Sequence, residues 1–75
     1  MSLKIPYNLT GKSAAFPESS SGFNQVTLVL TDGRKINEVY LRRGEDILKI
    51  GNKTINSIWD LDFSIFEIKD VISEL

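Results

Sequence analysis

The sequence predicts a mainly β domain of about five short strands that curls into a small, partly open barrel. Three observations favour this class. Residues 26–50 read as three strand-like runs, the runs are punctuated by Asp32-Gly33 and by Gly44, and the period-two apolar pattern changes phase inside the second run. Such a change of phase is typical of a bent strand. With 75 residues, the chain has room for one domain with one modest core.

The composition narrows the classes of function. The chain has no cysteine and no histidine, its net charge is −1, and 41% of its residues are hydrophobic. Without cysteine and histidine, the groups that could transfer protons are carboxylates, lysines and tyrosines. We therefore expect no catalytic site, no metal site and no cofactor. The chain shows no apolar run that could cross a bilayer and no signal-peptide pattern, so we expect a cytoplasmic protein with no membrane partner.

Residues 1–24 are predicted to be an N-terminal arm and polar linker, and residues 25–75 a single barrel-like domain. At the start of the arm, apolar side chains alternate with polar ones, as in a half-buried strand, at Leu3, Ile5, Tyr7 and Leu9. Pro6 has no amide hydrogen, so this strand would have to lie at an edge. The serine run at 19–21 predicts a flexible tether, and the patch at 14–17 is expected to dock on the domain.

The first strands of the domain follow from alternation. Residues 26–30 form strand one, and Asp32-Gly33 predicts a hairpin turn because glycine adopts a positive φ without strain. Strand two covers about 34–42. Its apolar parity changes between Ile36 and Val39, which predicts a β-bulge or bend at 37–39. Strand three covers 47–50, and Gly51-Asn52 predicts a second tight turn.

The C-terminal third allows more than one interpretation. Its apolar parity predicts a fourth strand through 59–63, with a large aromatic and aliphatic cluster in the core: Trp59, Leu61, Phe63 and Phe66. The alternative for this cluster is a subunit interface. For residues 64–75, Ser64 and Glu67 have capping-box spacing. We favour one helical turn at 66–70 followed by a closing strand at 71–73, and a full helix at 64–74 is the alternative.

Asp60 and Asp62 flank Leu61, so a strand would place both carboxylates on one face. Paired carboxylates can hold a divalent cation or act in acid–base chemistry. The polar face of an amphipathic strand explains the same pattern without either role, and we prefer that interpretation.

Residues 26–36, Val-Thr-Leu-Val-Leu-Thr-Asp-Gly-Arg-Lys-Ile, resemble the first half of the Sm signature: an alternating strand, a polar residue and glycine, then an apolar residue three positions on. The chain is also similar to small bacterial proteins of unknown function that share an Asp-Gly-Arg-x-Ile … Asp-Ile layout. The resemblance implies a small SH3-like (Sm-like) barrel. The chain departs from the Sm pattern at Glu38, where that pattern has glycine, and residues 44–48 lack the Asp…Met-Asn loop that grips RNA bases.

The function expected from these features is a non-catalytic protein–protein interaction module that self-associates as a homo-oligomer or binds another protein. The arm could add a strand to a neighbouring sheet. The candidate interface residues are Ile5, Tyr7, Leu9, Phe16 and Tyr40. Residues 26–53 carry six basic side chains against four acidic ones, whereas residues 54–75 carry five acids against one lysine. These opposite charges could complement each other between subunits.

The alternative function is a nucleic-acid-binding module of Sm-like shape, for RNA or single-stranded DNA. Basic side chains with aromatic neighbours provide the charge and stacking that single strands require. Phe23 and Tyr40 supply the aromatic rings near strand two. The candidate nucleic-acid or anion contacts are Arg34, Lys35, Arg42 and Arg43.

Overall fold

The structure is a computed structural model that describes residues 3–18 and 22–75. In these residues, one α-helix precedes five antiparallel β-strands, and two single-turn 3-10 helices lie between the last two strands. The elements are α1 (Tyr7–Ala14), β1 (Phe23–Leu30), β2 (Lys35–Arg42), β3 (Asp46–Ile50), β4 (Lys53–Thr54), the 3-10 turns Ile58–Asp60 and Ile65–Glu67, and β5 (Ile68–Ser73). The strands form one open sheet in the order β4-β3-β2-β1-β5. The mainly β class is confirmed. The serine run at 19–21 lies outside the described residues.

The turns between strands use positive φ angles. Gly33, in the connection from β1 to β2, has φ +91°, and the Asp32 carboxylate accepts a hydrogen bond from the Arg34 amide at 2.9 Å. Arg43 and Gly44 have φ +59° and +74°, which gives a type I′ turn between β2 and β3. A two-residue turn that begins at Gly51 joins β3 to β4. The predicted hairpin and tight turn are confirmed.

The predicted irregularity in strand two is a β-bulge. Val26 pairs with Val39, but Leu28 pairs with Ile36, so two residues of β2 oppose one residue of β1. Glu38 lies in this bulge with φ +57°, in the left-handed region that glycine tolerates best. The predicted bend at 37–39 is therefore confirmed, and a glutamate occupies its most demanding backbone position.

The core lies on one face of the sheet, because alternate residues of a strand point to the same side. Leu28 and Leu30 of β1 are fully buried at its centre. Residues of the other strands and of the connections complete it: Val26, Val39, Leu41, Ile47, Ile55, Phe63, Ile68 and Val71. Ile5 and Leu9 from the N-terminal segment also belong to this core.

The predicted edge strand in the arm is wrong, because residues 7–14 form α1. Within α1, Leu9 and Ser13 are buried whereas Tyr7 is exposed, and a spacing of four places the two buried residues on one face of a helix. Over so short a segment, apolar residues at every second position fit the period of a strand and the period of a helix. Pro6 directly precedes α1, where its missing amide hydrogen leaves no helical bond unmade.

The α-helix of the described residues therefore lies in the N-terminal segment and not near the C-terminus. Residues 65–67 form one 3-10 turn that leads into β5, so the favoured order of a turn and then a closing strand is confirmed, although both begin earlier than predicted. The full helix at 64–74 is wrong. The fourth strand at 59–63 is also wrong, since β4 is Lys53–Thr54 and residues 58–60 form the other 3-10 turn.

The N-terminal segment is fixed to the sheet along its length. The Ile5 amide donates to the Glu45 carbonyl at 3.0 Å, and the Ile47 amide donates to the Leu3 carbonyl at 2.8 Å. Farther along, the backbone of α1 at residues 13–14 lies directly against Gly44. The N-terminal segment of the same chain therefore covers the outer edge of β3.

Candidate functional site

The four cations predicted to contact nucleic acid are not brought together. They are Arg34, Lys35, Arg42 and Arg43. Arg34 directly precedes β2 and Lys35 begins it, whereas Arg42 ends β2 and Arg43 follows it. The two ends of this eight-residue strand are about 23 Å apart. Arg34 pairs with Asp62 at 3.3 Å, and Arg42 pairs with Asp46 at 3.6 Å.

The predicted interface residues have unlike surroundings. They are Ile5, Tyr7, Leu9, Phe16 and Tyr40. Ile5 and Leu9 are buried in the chain's own core, and Phe16 packs against that core. The segment expected to add a strand to a neighbour instead pairs with its own β3, through the bridge between Lys4 and Asp46. Tyr7 projects into solvent with 92% exposure.

Two similar tetrapeptides lie in the connection between β4 and β5. Ser57-Ile58-Trp59-Asp60 and Ser64-Ile65-Phe66-Glu67 are seven residues apart, and each forms a 3-10 turn closed by a capping box. In each box the serine hydroxyl accepts from the amide two residues on, at 3.3 Å in the first turn and 3.1 Å in the second. The acidic residue in turn accepts from the serine amide, at 3.2 Å and 2.8 Å. Both turns are therefore held by their own side chains.

The third residue of each tetrapeptide is aromatic, and its side chain is exposed to solvent. Trp59 is 87% exposed and Phe66 is 93% exposed. Both line an open groove of about 570 Å³, together with Phe63, Asp62 and Glu67. We call Ile58, Trp59, Phe66 and this groove the aromatic surface. Phe63 belongs to the core and the partly buried Leu61 packs against the core, both as predicted. The predicted core placement of Trp59 and Phe66 is wrong.

The carboxylates of Asp60 and Asp62 serve different partners. Asp60 accepts from the Asn56 amide at 2.8 Å as well as from Ser57. The Asn56 amide, helped by that of Ser57 and by the charge of Lys53, holds the pKa of Asp60 below its usual value against the opposing effect of burial. Asp62 points to Arg34. The first carboxylate closes a turn, and the second forms part of the rim of the aromatic surface.

The opposite face of the sheet carries a second cluster, of aromatic and basic residues. Phe23 pairs with Arg42, and Tyr40 pairs with Lys49, so these four side chains project from the face opposite the core. The Lys49 ammonium lies 4.7 Å from the centre of the Tyr40 ring, a cation–π distance. An open groove of about 340 Å³ runs between Phe23, Tyr40 and Lys49. We call these four residues the cation–aromatic face.

Sequence reasoning missed the aromatic surface because it followed apolar parity through residues 55–65. The signal that identifies it is the Ser-x-x-Asp spacing at Ser57 and Asp60, which matches the Ser-x-x-Glu spacing at Ser64 and Glu67. A capping box predicts a turn in place of a strand. In such a turn, the residue two positions after the serine no longer follows the alternation of buried and exposed side chains that a strand imposes.

No protein-family model, curated protein or solved structure matches this chain. The resemblance to SH3-like and Sm-like barrels therefore stays a prediction. Within residues 3–18 and 22–75, no helix is both long and apolar enough to span a membrane.

Proposed function

We propose that the protein is a non-catalytic protein–protein interaction module that self-associates and that its contact surface is the aromatic surface. The observation that carries the proposal is the exposure of Trp59 and Phe66, at 87% and 93%, on two turns fixed by capping boxes. Tryptophan is among the residues that most often dominate the binding energy of interfaces.

The fixed turns favour binding over a merely exposed pair of side chains. Association costs free energy when loops and side chains become ordered, and preorganised contacts reduce that cost. Here the serine and acidic side chains of each box already order the backbone that carries Trp59 or Phe66. An aromatic side chain adds large area with few rotatable bonds.

The size of the surface predicts weak association. Two aromatic side chains bury about 300–500 Å². A stable interface buries about 800 Å² on each partner. The aromatic surface thus supplies about half of a standard interface, and we expect dissociation constants in the micromolar range or weaker.

The fold part of the proposal is an SH3-like (Sm-like) barrel. Its support is the order of elements from β1 onward: a strand, an Asp-Gly turn, a strand bent at Glu38, two further strands, two 3-10 turns and a closing strand. Fold likeness alone assigns no ligand.

Nucleic-acid binding is the second candidate function, and the observation that favours it is the Lys49 ammonium over the Tyr40 ring beside Phe23. Bases stack on such rings while cations contact phosphates. Titration of a fluorescent single-stranded oligonucleotide at low and high salt tests it: binding that weakens steeply with salt supports this candidate, and no binding at low salt rejects it.

Sedimentation velocity from ten micromolar to one millimolar tests self-association. We expect the mass of the wild type to rise with concentration and the double variant Trp59→Ala/Phe66→Ala to remain monomeric. Tyr7→Ala is the matched control, because Tyr7 is equally exposed but lies on α1. A monomeric wild type at one millimolar, or a double variant that associates like the wild type, would refute the proposal.

A further inference from the structure

We propose that the aromatic surface of one copy docks on the cation–aromatic face of a second copy, so that the chains associate head to tail. The inference rests on the proposed self-association and identifies the surface that receives Trp59 and Phe66. It commits to a second copy of this chain as the partner because the two surfaces complement each other in charge and in chemistry.

The aromatic surface carries negative charge at its rim. The side chain of Asp62 is 80% exposed, and Glu67 lies in the same groove. Arg34 offsets part of this charge through its contact with Asp62. Two aromatic surfaces facing one another would bring these carboxylates together, and like charges across an interface are unfavourable.

The cation–aromatic face offers the opposite charge beside apolar area. Lys49 is exposed and forms no ion pair with a carboxylate among residues 3–18 and 22–75, whereas the charge of Arg42 is partly offset by Asp46. The groove between Phe23 and Tyr40 is lined mainly by apolar atoms. It can receive an aromatic ring while Lys49 meets an acidic side chain of the rim.

Two carboxylates border this face. Asp46 contacts Arg42 and Lys4. Glu74, which directly follows β5, accepts hydrogen bonds from Gln25, from Thr27 and from the backbone amide of Glu38, so its oxygens are already engaged. Lys49, which lies across the sheet from Glu74, is therefore the charge that this face presents to a partner.

The two surfaces lie on different sides of the molecule. Trp59 sits beside Ile36 and Ile50 at the core face, whereas Tyr40 and Lys49 project from the opposite face. One copy can therefore use both surfaces at once. A contact between two different surfaces is heterologous, and its repetition produces a closed ring or an open filament.

A complementation experiment tests this arrangement. The first variant, Trp59→Ala/Phe66→Ala, keeps only the cation–aromatic face. The second, Tyr40→Thr/Lys49→Glu, keeps only the aromatic surface, and threonine suits a strand position. We expect each variant alone to be monomeric and an equimolar mixture to form a one-to-one dimer, because each supplies the surface that the other lacks.

The outcomes separate this inference from the function on which it rests. A monomeric wild type rejects self-association itself. If the wild type associates, the second variant also associates and the mixture forms no dimer, then self-association stands and the head-to-tail contact is rejected. The fluorescence of Trp59, the single tryptophan, should shift to shorter wavelength in the mixture.

Single charge reversals give a second measurement with little effect on folding, because both side chains are exposed. Lys49→Glu should raise the dissociation constant by about tenfold or more, since it places like charges in contact. Lys69→Glu on β5 makes the same change in net charge outside the face and should leave the constant unchanged. Equal effects of the two substitutions would overturn the proposed contact.

Discussion

Replacement of Gly44 by alanine should release α1 from the sheet. A Cβ atom at Gly44 would lie 2.5 Å from the Cα and the nitrogen of Ala14 and 2.9 Å from the carbonyl carbon of Ser13. Carbon atoms in contact are normally about 3.5–4.0 Å apart, so the helix would have to move by about 1 Å or more. The obstructing atoms are backbone, which a rotamer change cannot displace.

Gly33→Ala is the matched control. Gly33 also has a positive φ, +91°, but nothing lies within 4 Å of the position of its Cβ. Alanine in the left-handed region costs about 1–2 kcal/mol, so Gly33→Ala should destabilise the fold by that amount. Gly44→Ala has the same backbone cost and in addition loses contacts of α1. Exposure of Leu9 alone is worth about 1.5–3 kcal/mol, which gives a total of about 2.5–5 kcal/mol.

Urea denaturation followed by circular dichroism measures both free energies of unfolding. A domain of this length is typically stable by about 4–11 kcal/mol, so Gly44→Ala should bring the protein close to unfolding or leave a folded sheet with a detached helix. Amide hydrogen exchange at residues 9–16 distinguishes these two results. Equal unfolding midpoints for Gly33→Ala and Gly44→Ala would refute the close packing of α1 on the turn.

Two further predictions concern the bulge. Glu38→Gly should be more stable than Glu38→Ala by about 0.5–1 kcal/mol in thermal denaturation, because relief of the left-handed strain at φ +57° exceeds the entropy cost of glycine; an alanine variant of equal or greater stability would contradict this. Burial opposes ionisation of Glu74, but donors at Thr27, Glu38 and Gln25 prevail and hold its pKa below the usual value. Its carboxylate therefore stabilises the fold fully above about pH 4.3, the unfolded value, and loses that effect as the pH falls through the lower folded pKa. Glu74→Gln should cost about 1 kcal/mol at pH 7 and progressively less in acid, and a difference in unfolding free energy that does not change with pH would count against the network.

The central strands could be predicted from the sequence because the information for them is local. Alternation assigned β1, glycine with aspartate assigned the hairpin, and the parity change between Ile36 and Val39 located the bulge within a residue. The N-terminal segment could not be assigned in this way. Alternating apolar residues over seven positions satisfy both helical and strand periods, and packing against Gly44 and β5 decides between them.

The aromatic surface was harder to predict, because apolar character does not determine burial. Phe63 and Phe66 are three residues apart and chemically identical, yet Phe63 is in the core and Phe66 is 93% exposed. The difference arises from the turn between them. The capping of Ser64 by Glu67 rotates residue 66 out of the alternation that places residue 63 inward.

The bulge connects the fold to the proposed assembly. Glu38 occupies a backbone conformation suited to glycine, and two hydrogen bonds hold it there: its amide donates to the Glu74 carboxylate at 3.0 Å, and its carbonyl accepts from the Gly51 amide at 2.9 Å. The end of β5 and the β3–β4 turn are thereby joined to the same bend of β2. A bulge bends its strand and increases the local twist. The bend at Glu38 therefore helps to set the angle between the core side, where the aromatic surface lies, and the cation–aromatic face. In a heterologous contact that angle decides whether successive copies close into a ring or continue as a filament.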